Sequence, residues 1–304
     1  MSKKTQTRKR LSKALVSLFV LLVVFAPALL TAKWVMGLVG NTDPRKVTTV
    51  APLQVRPINN TKAPLQPFSE PIVSVTFDDG WESVYTNGLP ILQKDGIQTT
   101  QYIISGTMAN NYSYMSEPQI KSMEDAGHEI AAHTVTHADL TTFDDQQLTY
   151  QLAYSKQVLA KDFGPIYDFT SPYGAYNQHT LDVISKYYRS QKNAEGDPTS
   201  NDLESINVKK TFSPMNITSY TVRKTTTSAE LKKLLQDARE NNGWLVLTYH
   251  QVQDSSSNSS DDSEYAVTPA VFAKQMAIID DSNMRSATVG QVLDVLMPNS
   301  RESN

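Results

Sequence analysis

The sequence predicts an α/β protein: a parallel sheet of about seven strands, closed or nearly closed into a barrel, behind an N-terminal membrane-spanning or signal helix. Three observations carry this. From residue 71 onward, short apolar runs alternate with helix-period segments, the order that builds parallel sheets. Acidic residues and histidines fall at the carboxyl ends of those runs, where barrels keep their chemistry. Near the N-terminus, "ALVSLFVLLVVFAPALLTA" is an uncharged run of about 19 residues, long enough to cross a bilayer core of ~30 Å as a helix.

Taken in order, residues 1–13 ("MSKKTQTRKRLSK") are a basic segment that places the N-terminus in the cytoplasm and everything after the apolar run outside. Residues 14–40 are a transmembrane anchor or, if cleaved near Ala32, a signal peptide. The body is then either held at the cell membrane by a single span or secreted. Residues 41–70, rich in Pro, Thr and Asn, form an extracytoplasmic spacer, and 71–304 the folded domain. Expected strands are 71–77, 98–104, 128–133, 166–171, a weak 187–192, 219–224 and 244–250. Expected helices lie near 81–94, 117–126, 144–162, 177–186, 228–241, 269–281 and 288–296, with Asp144 and Ser228 as N-caps and Gly127 and Gly243 after helix ends. The Ser/Asp-rich 254–264 reads as a solvated loop.

Composition narrows the function. There is no cysteine, so any metal must rely on nitrogen and oxygen ligands, and disulfides and thiol chemistry are excluded. Residues 1–40 hold seven of the 28 basic residues and no acid, leaving 21 basic against 31 acidic residues, a net of −10 on the rest. A body of that charge is a poor partner for nucleic acid.

The chemistry sits in four places. "VSVTFDDG" ends a buried strand with two adjacent carboxylates, Asp78 and Asp79, which repel unless a positive group intervenes. "HEIAAHTVTH" carries His133 and His137 at spacing i, i+4, within reach of one ion if the segment coils. "TSPYGAY" suits a tight loop around Tyr173, and "WLVLTYH" ends the last strand on His250. Each has an ordinary explanation: turn acids, surface imidazoles, a tight loop, a polar strand cap. Four strand ends together outweigh those explanations. Two histidines and one carboxylate, leaving positions open for water, form a catalytic rather than a structural metal site.

"TFDDG", "HTVTH", "SPYG" and "LTYH", in this order over about residues 71–296, resemble the polysaccharide deacetylases of carbohydrate esterase family 4, the NodB-homology domain. The resemblance implies a distorted (β/α) barrel and a metal-dependent hydrolase removing N-acetyl groups from sugar polymers, with zinc, or else cobalt, nickel or manganese, as the cation. Asp79, His133 and His137 would be its ligands, Asp78 the general base, His250 the general acid and the Tyr173 amide part of the oxyanion site.

The chain departs from that pattern three times. The family's third motif, Arg-x-Pro-Tyr, supplies an arginine that pairs with the base; Thr170 stands there, and Arg189 is expected to reach Asp78 instead. The fourth motif, which tunes the acid histidine, is not recognisable, with Asn193, Glu195, Asp197 and Asp202 in its region. The fifth, Leu-x-His, would put its leucine at Thr248, whereas Leu247 comes one residue earlier. His128 and His179 read as structural or surface residues. The expected substrate is an N-acetylglucosamine-containing polymer, peptidoglycan or exopolysaccharide; a weakened carbohydrate-binding pseudoenzyme and a xylan-type O-acetyl esterase are the alternatives. Oligomeric state is not legible.

Overall fold

The computed structural model describes residues 56–57, 63–108, 113–194, 205–254 and 264–301. The expected basic segment and membrane or signal helix lie outside them, as does most of the spacer. Among the described residues, no helix is long and apolar enough to cross a membrane.

Among the described residues eleven strands form: β1 (Ile72–Phe77), β2 (Thr99–Ile103), β3 (Glu129–Ala132), β4 (Asp168–Thr170), β5 (Ser190–Lys192), β6 (Ile206–Asn207), β7 (Tyr220–Thr221), β8 (Trp244–Tyr249), β9 (Gln251–Val252), β10 (Ala266–Val267) and β11 (Arg285–Ser286). Seven answer the expected strands; β6, β9, β10 and β11 are two-residue pairings too short to show a period. The main sheet runs β5-β4-β3-β2-β1-β8-β6, parallel except for β6 against β8. It curls until residues 217–221 meet both ends: Ile217 bridges to Lys192 of β5, and β7 lies parallel to β8. A few residues, not a full strand, span the gap, which is the distortion in the barrel.

The helices are α1 (Leu89–Asp95), α2 (Glu117–Asp125), α3 (Asp145–Thr149), α4 (Ser155–Phe163), α5 (Gln178–Ile184), α6 (Ser228–Glu240), α7 (Pro269–Asp281) and α8 (Val289–Leu296). Asp144 caps α3 as expected, accepting from the Gln147 amide at 2.9 Å. The cap of α6 is Thr227, not Ser228, because Thr227 and Glu230 satisfy each other's amides in a Thr-x-x-Glu box. The expected single helix 144–162 is interrupted by a wider π-type turn at Tyr150–Tyr154, a device common near functional sites. There the Gln151 carbonyl takes the amides of Val135 and Thr136 at 3.0 and 3.1 Å, tying the helix to the histidine loop.

β1 is buried along its whole length. At the amino ends of β1 and β8, Ile72, Trp244 and Val246 pack with Val289, Val292 and Leu293 of α8, and Leu65 and Phe68 press on the same cluster. Apolar packing thus closes the amino mouth of the barrel. The carboxyl mouth is left for polar groups.

Candidate metal centre and active site

Asp78 and Asp79 follow β1 directly. The Asp78 amide donates to the Tyr249 carbonyl at 3.0 Å, extending the β1–β8 pairing by one residue. Asp79 and Gly80 then take left-handed φ values of 76° and 84°, so the chain swings sharply as it leaves the strand. Thr134 (66°), His137 (56°) and Tyr173 (60°) are left-handed as well. Non-glycine residues rarely adopt this conformation, and such strain clusters at functional sites.

His133 directly follows β3, and its Nδ1 lies 2.9 Å from the Thr170 carbonyl oxygen. A carbonyl only accepts, so Nδ1 carries the proton and Nε2 presents its lone pair. The left-handed Thr134 turns the chain, its hydroxyl accepts from the His137 amide at 2.9 Å, and the second ring is brought beside the first. The i, i+4 spacing therefore works through a capped coil rather than a helix.

The result is a tight trio. Asp79 Oδ1 lies 3.4 Å from His133 Nε2 and 3.3 Å from His137 Nε2, and the three candidate ligand atoms fall within 4.8 Å of one another. Asp79 Oδ1 is buried without a hydrogen bond among the described residues. Ligands about 2.0–2.1 Å from a tetrahedral cation stand about 3.3–3.4 Å apart, the separation of Asp79 Oδ1 from each histidine nitrogen. Burial works to raise the Asp79 pKa, but the close polar contact with His133, and the charge of His250, His133 and His137 in their protonated forms, outweigh it and hold the carboxyl well below its usual range. Burial, reinforced by His133, pushes His137 down to about 4, leaving a neutral ring at pH 7. Trp81, which the motif reading missed, donates its indole N–H to Asp79 Oδ2 at 2.8 Å and stacks on Tyr114. It orients the carboxylate from behind.

Asp78 is not held by Arg189. Arg189 lies just before β5, at the barrel's amino end, and forks onto Asp168 with Nε–Oδ1 3.0 Å and Nη2–Oδ2 2.9 Å, while Nη1 reaches Asp294 at 2.7 Å. Three residues of extended chain advance about 10 Å, which separates Arg189 from the mouth where Asp78 sits. At the other end of β5, Lys192 places Nζ 3.0 Å from Asp78 Oδ2.

Tyr173 stands in a tight turn at Pro172–Gly174, largely exposed, its ring edge-on to His137 at 4.6 Å. Gly174 (φ 65°) is required there, since a Cβ would come 2.9 Å from the Ala194 nitrogen. His250 follows β8; its Nδ1 is buried with no hydrogen-bond partner among the described residues, and its ring faces Tyr265 at 4.9 Å. Of the residues in the fourth-motif region, Asn193 is buried against Asn216, while Glu195, Asp197 and Asp202 lie outside the described residues. Thr248 is buried with its hydroxyl at Lys192, whereas Leu247 packs on the opposite face of β8. His128 is structural: Thr99 donates its amide to His128 Nδ1 at 3.1 Å, and burial lowers the ring to about 4. His179 pairs with Asp145 at the surface.

Residues 66–189 match the family model for polysaccharide deacetylase. The chain is 33% identical over 119 residues to YxkH of Bacillus subtilis (strain 168), whose name places it provisionally among polysaccharide deacetylases, covering 39% of this chain and 42% of that protein. It is 30% identical over 153 residues to the poly-beta-1,6-N-acetyl-D-glucosamine N-deacetylase of Staphylococcus aureus (strain MRSA252), covering 44% and 53%. The chain thus spans about half or less of these relatives' lengths. The family 4 carbohydrate esterase of Streptomyces lividans, solved with acetate, superposes with a TM-score of 0.51 at 19% identity over 73% of this chain and 94% of that one, a likeness of fold. Motifs, curled sheet and family match agree: over residues 66–189 the chain is similar to the polysaccharide deacetylases, the NodB-homology domain of carbohydrate esterase family 4.

Proposed function

We propose that the protein is a metal-dependent N-deacetylase acting outside the membrane on N-acetylglucosamine-containing polysaccharide. The observation that carries this reading is the convergence of Asp79, His133 and His137 within 4.8 Å, with Asp78 as the next residue. The similarity to a poly-N-acetylglucosamine deacetylase supports the substrate class, and the apolar run at 14–32 supports the location.

Asp79, His133 and His137 would hold one divalent cation. When bound, such an ion polarises an amide carbonyl and lowers the pKa of water from 15.7 towards ~7. The chain's residues do the rest. Asp78 takes the proton of the attacking water as the C–O bond forms. The Tyr173 amide donates to the oxygen that becomes an oxyanion. His250, as the imidazolium, gives its proton to the amine nitrogen as the C–N bond breaks, releasing acetate and a free amine. The adjacent acids would thus divide the labour: Asp79 would hold the ion, and Asp78 would remain a base.

The test is acetate release by the purified full-length protein from chitooligosaccharides, peptidoglycan and O-acetylated xylan, with chelation and metal add-back. Release from the N-acetylated substrates that chelation abolishes and metal restores is expected. Release confined to xylan, or unaffected by chelation, contradicts the reading.

A further inference from the structure

The two departures at Thr170 and Thr248 meet at one residue, Lys192. Lys192 Nζ, on a fully buried side chain, lies 3.0 Å from Asp78 Oδ2 and 3.0 Å from Thr248 Oγ1, and 5.1 Å from the centre of the Tyr102 ring. Its positive charge thus has a counter-charge, a hydroxyl and an aromatic face, the partners an enclosed ammonium requires. Thr248 is set to accept: its own hydrogen goes to Ser219 Oγ at 3.1 Å, and Ser219 in turn donates to the Asn193 carbonyl at 2.6 Å. A leucine at 248 would leave the ammonium one partner short. Thr170 meets the same residue from β4, its hydroxyl donating to the Lys192 carbonyl at 3.0 Å.

Asp78 is divided by this contact. Oδ2 is fixed by Lys192, while Oδ1 is buried without a hydrogen bond among the described residues. A base needs such an arrangement: one oxygen anchored to orient the group, the other free to receive a proton.

We infer that Lys192 is the positioning residue for Asp78. Its ammonium, caged by Thr248 and the Tyr102 ring, performs from β5 the task that the family pattern gives to an arginine at the place of Thr170. The loss of that arginine and the replacement of leucine by Thr248 are then one change, a relocation of the cation to the neighbouring strand. This inference rests on the deacetylase reading for its catalytic meaning, but the contact itself can be tested separately.

The first measurement is thermal melting of D78N, K192M and D78N/K192M. Removing one partner of a buried pair strands the other, so K192M should lower the melting temperature by about 6 °C or more, and adding D78N should recover at least about half of that loss. Losses that simply add would overturn the contact. The second is steady-state acetate release. K192M should lose about 100-fold in kcat with KM and bound metal within about twofold of wild type, and K192R or T170R/K192M should regain at least about tenfold. Turnover of K192M within about threefold of wild type would overturn the inference, as would a loss that neither cation-bearing variant repairs while remaining folded and metal-loaded. If the wild-type protein releases no acetate from any substrate, the deacetylase reading fails, and the melting cycle still decides whether Lys192 holds Asp78.

Discussion

Arg189→Met separates a structural arginine from a catalytic one. In the fold, Arg189 and Asp168 form a two-pronged pair whose side chains are 2% and 1% exposed, and Ser190 Oγ adds a 2.6 Å bond to Asp168 Oδ1. Methionine fills much of the same volume but leaves Asp168 charged, buried and without its cation. Breaking such a pair from one side costs about 3–5 kcal/mol. For a domain of this size each kcal/mol corresponds to about 2–4 °C, so the melting temperature should fall by about 6–20 °C. The Asp294 contact adds little, because that carboxylate is 38% exposed and also held by Arg301. The assay is a melting curve followed by acetate release at a temperature where the variant is folded. Stability should drop while kcat per folded molecule stays within about twofold of wild type, since Arg189 touches neither Asp78 nor the metal trio. A variant that melts like wild type, or one that is folded yet inactive, would refute this assignment.

Trp81→Phe keeps the ring that stacks on Tyr114 but removes the N–H that orients Asp79, so zinc affinity measured by competition with a chelator should weaken by about 10–100-fold. Unchanged affinity would leave Trp81 a packing residue only. Glu129 gives a pH signature: its carboxyl accepts from Thr100 and Gly290, and burial, then the facing Asp168, push it up to about 8 from the ordinary 4.5. An acid raised on folding binds more protons folded than unfolded, so its ionisation reduces stability as pH rises from about 4.5 to about 8, after which the effect levels. Glu129→Gln should flatten that decline in melting temperature; the same slope in variant and wild type would contradict it. Chelation should abolish acetate release without unfolding the barrel, because the trio sits at the mouth and the apolar cluster of Trp244 and α8 lies at the opposite end.

The strands that were legible are those with either a long apolar run, such as β1 and β8, or a clear boundary, such as β3 between Gly127 and the histidine loop. The convergence of Asp79, His133 and His137 was legible because it combines residue type with position at strand ends. What failed was choice of cation for Asp78. "YYRSQK" contains two cationic residues, Arg189 and Lys192, and both stand at odds with a buried strand. Only register decides between them: a three-residue strand puts one at each end of the barrel, and weak period-2 patterning does not reveal where that strand starts. Trp81 was missed because an aromatic residue after a turn looks like any other until its N–H is seen to meet Asp79. The π-type turn at Tyr150–Tyr154 was invisible for a similar reason, since apolar spacing changes little across one widened turn.

The most direct measurement is anomalous diffraction from crystals of the zinc-loaded protein, recorded on both sides of the zinc absorption edge. One peak is expected, about 2.0–2.2 Å from an Asp79 carboxylate oxygen and the Nε2 atoms of His133 and His137. No peak at that position, or an ion held by other side chains with these three apart, would contradict the metal centre and with it the proposed hydrolysis.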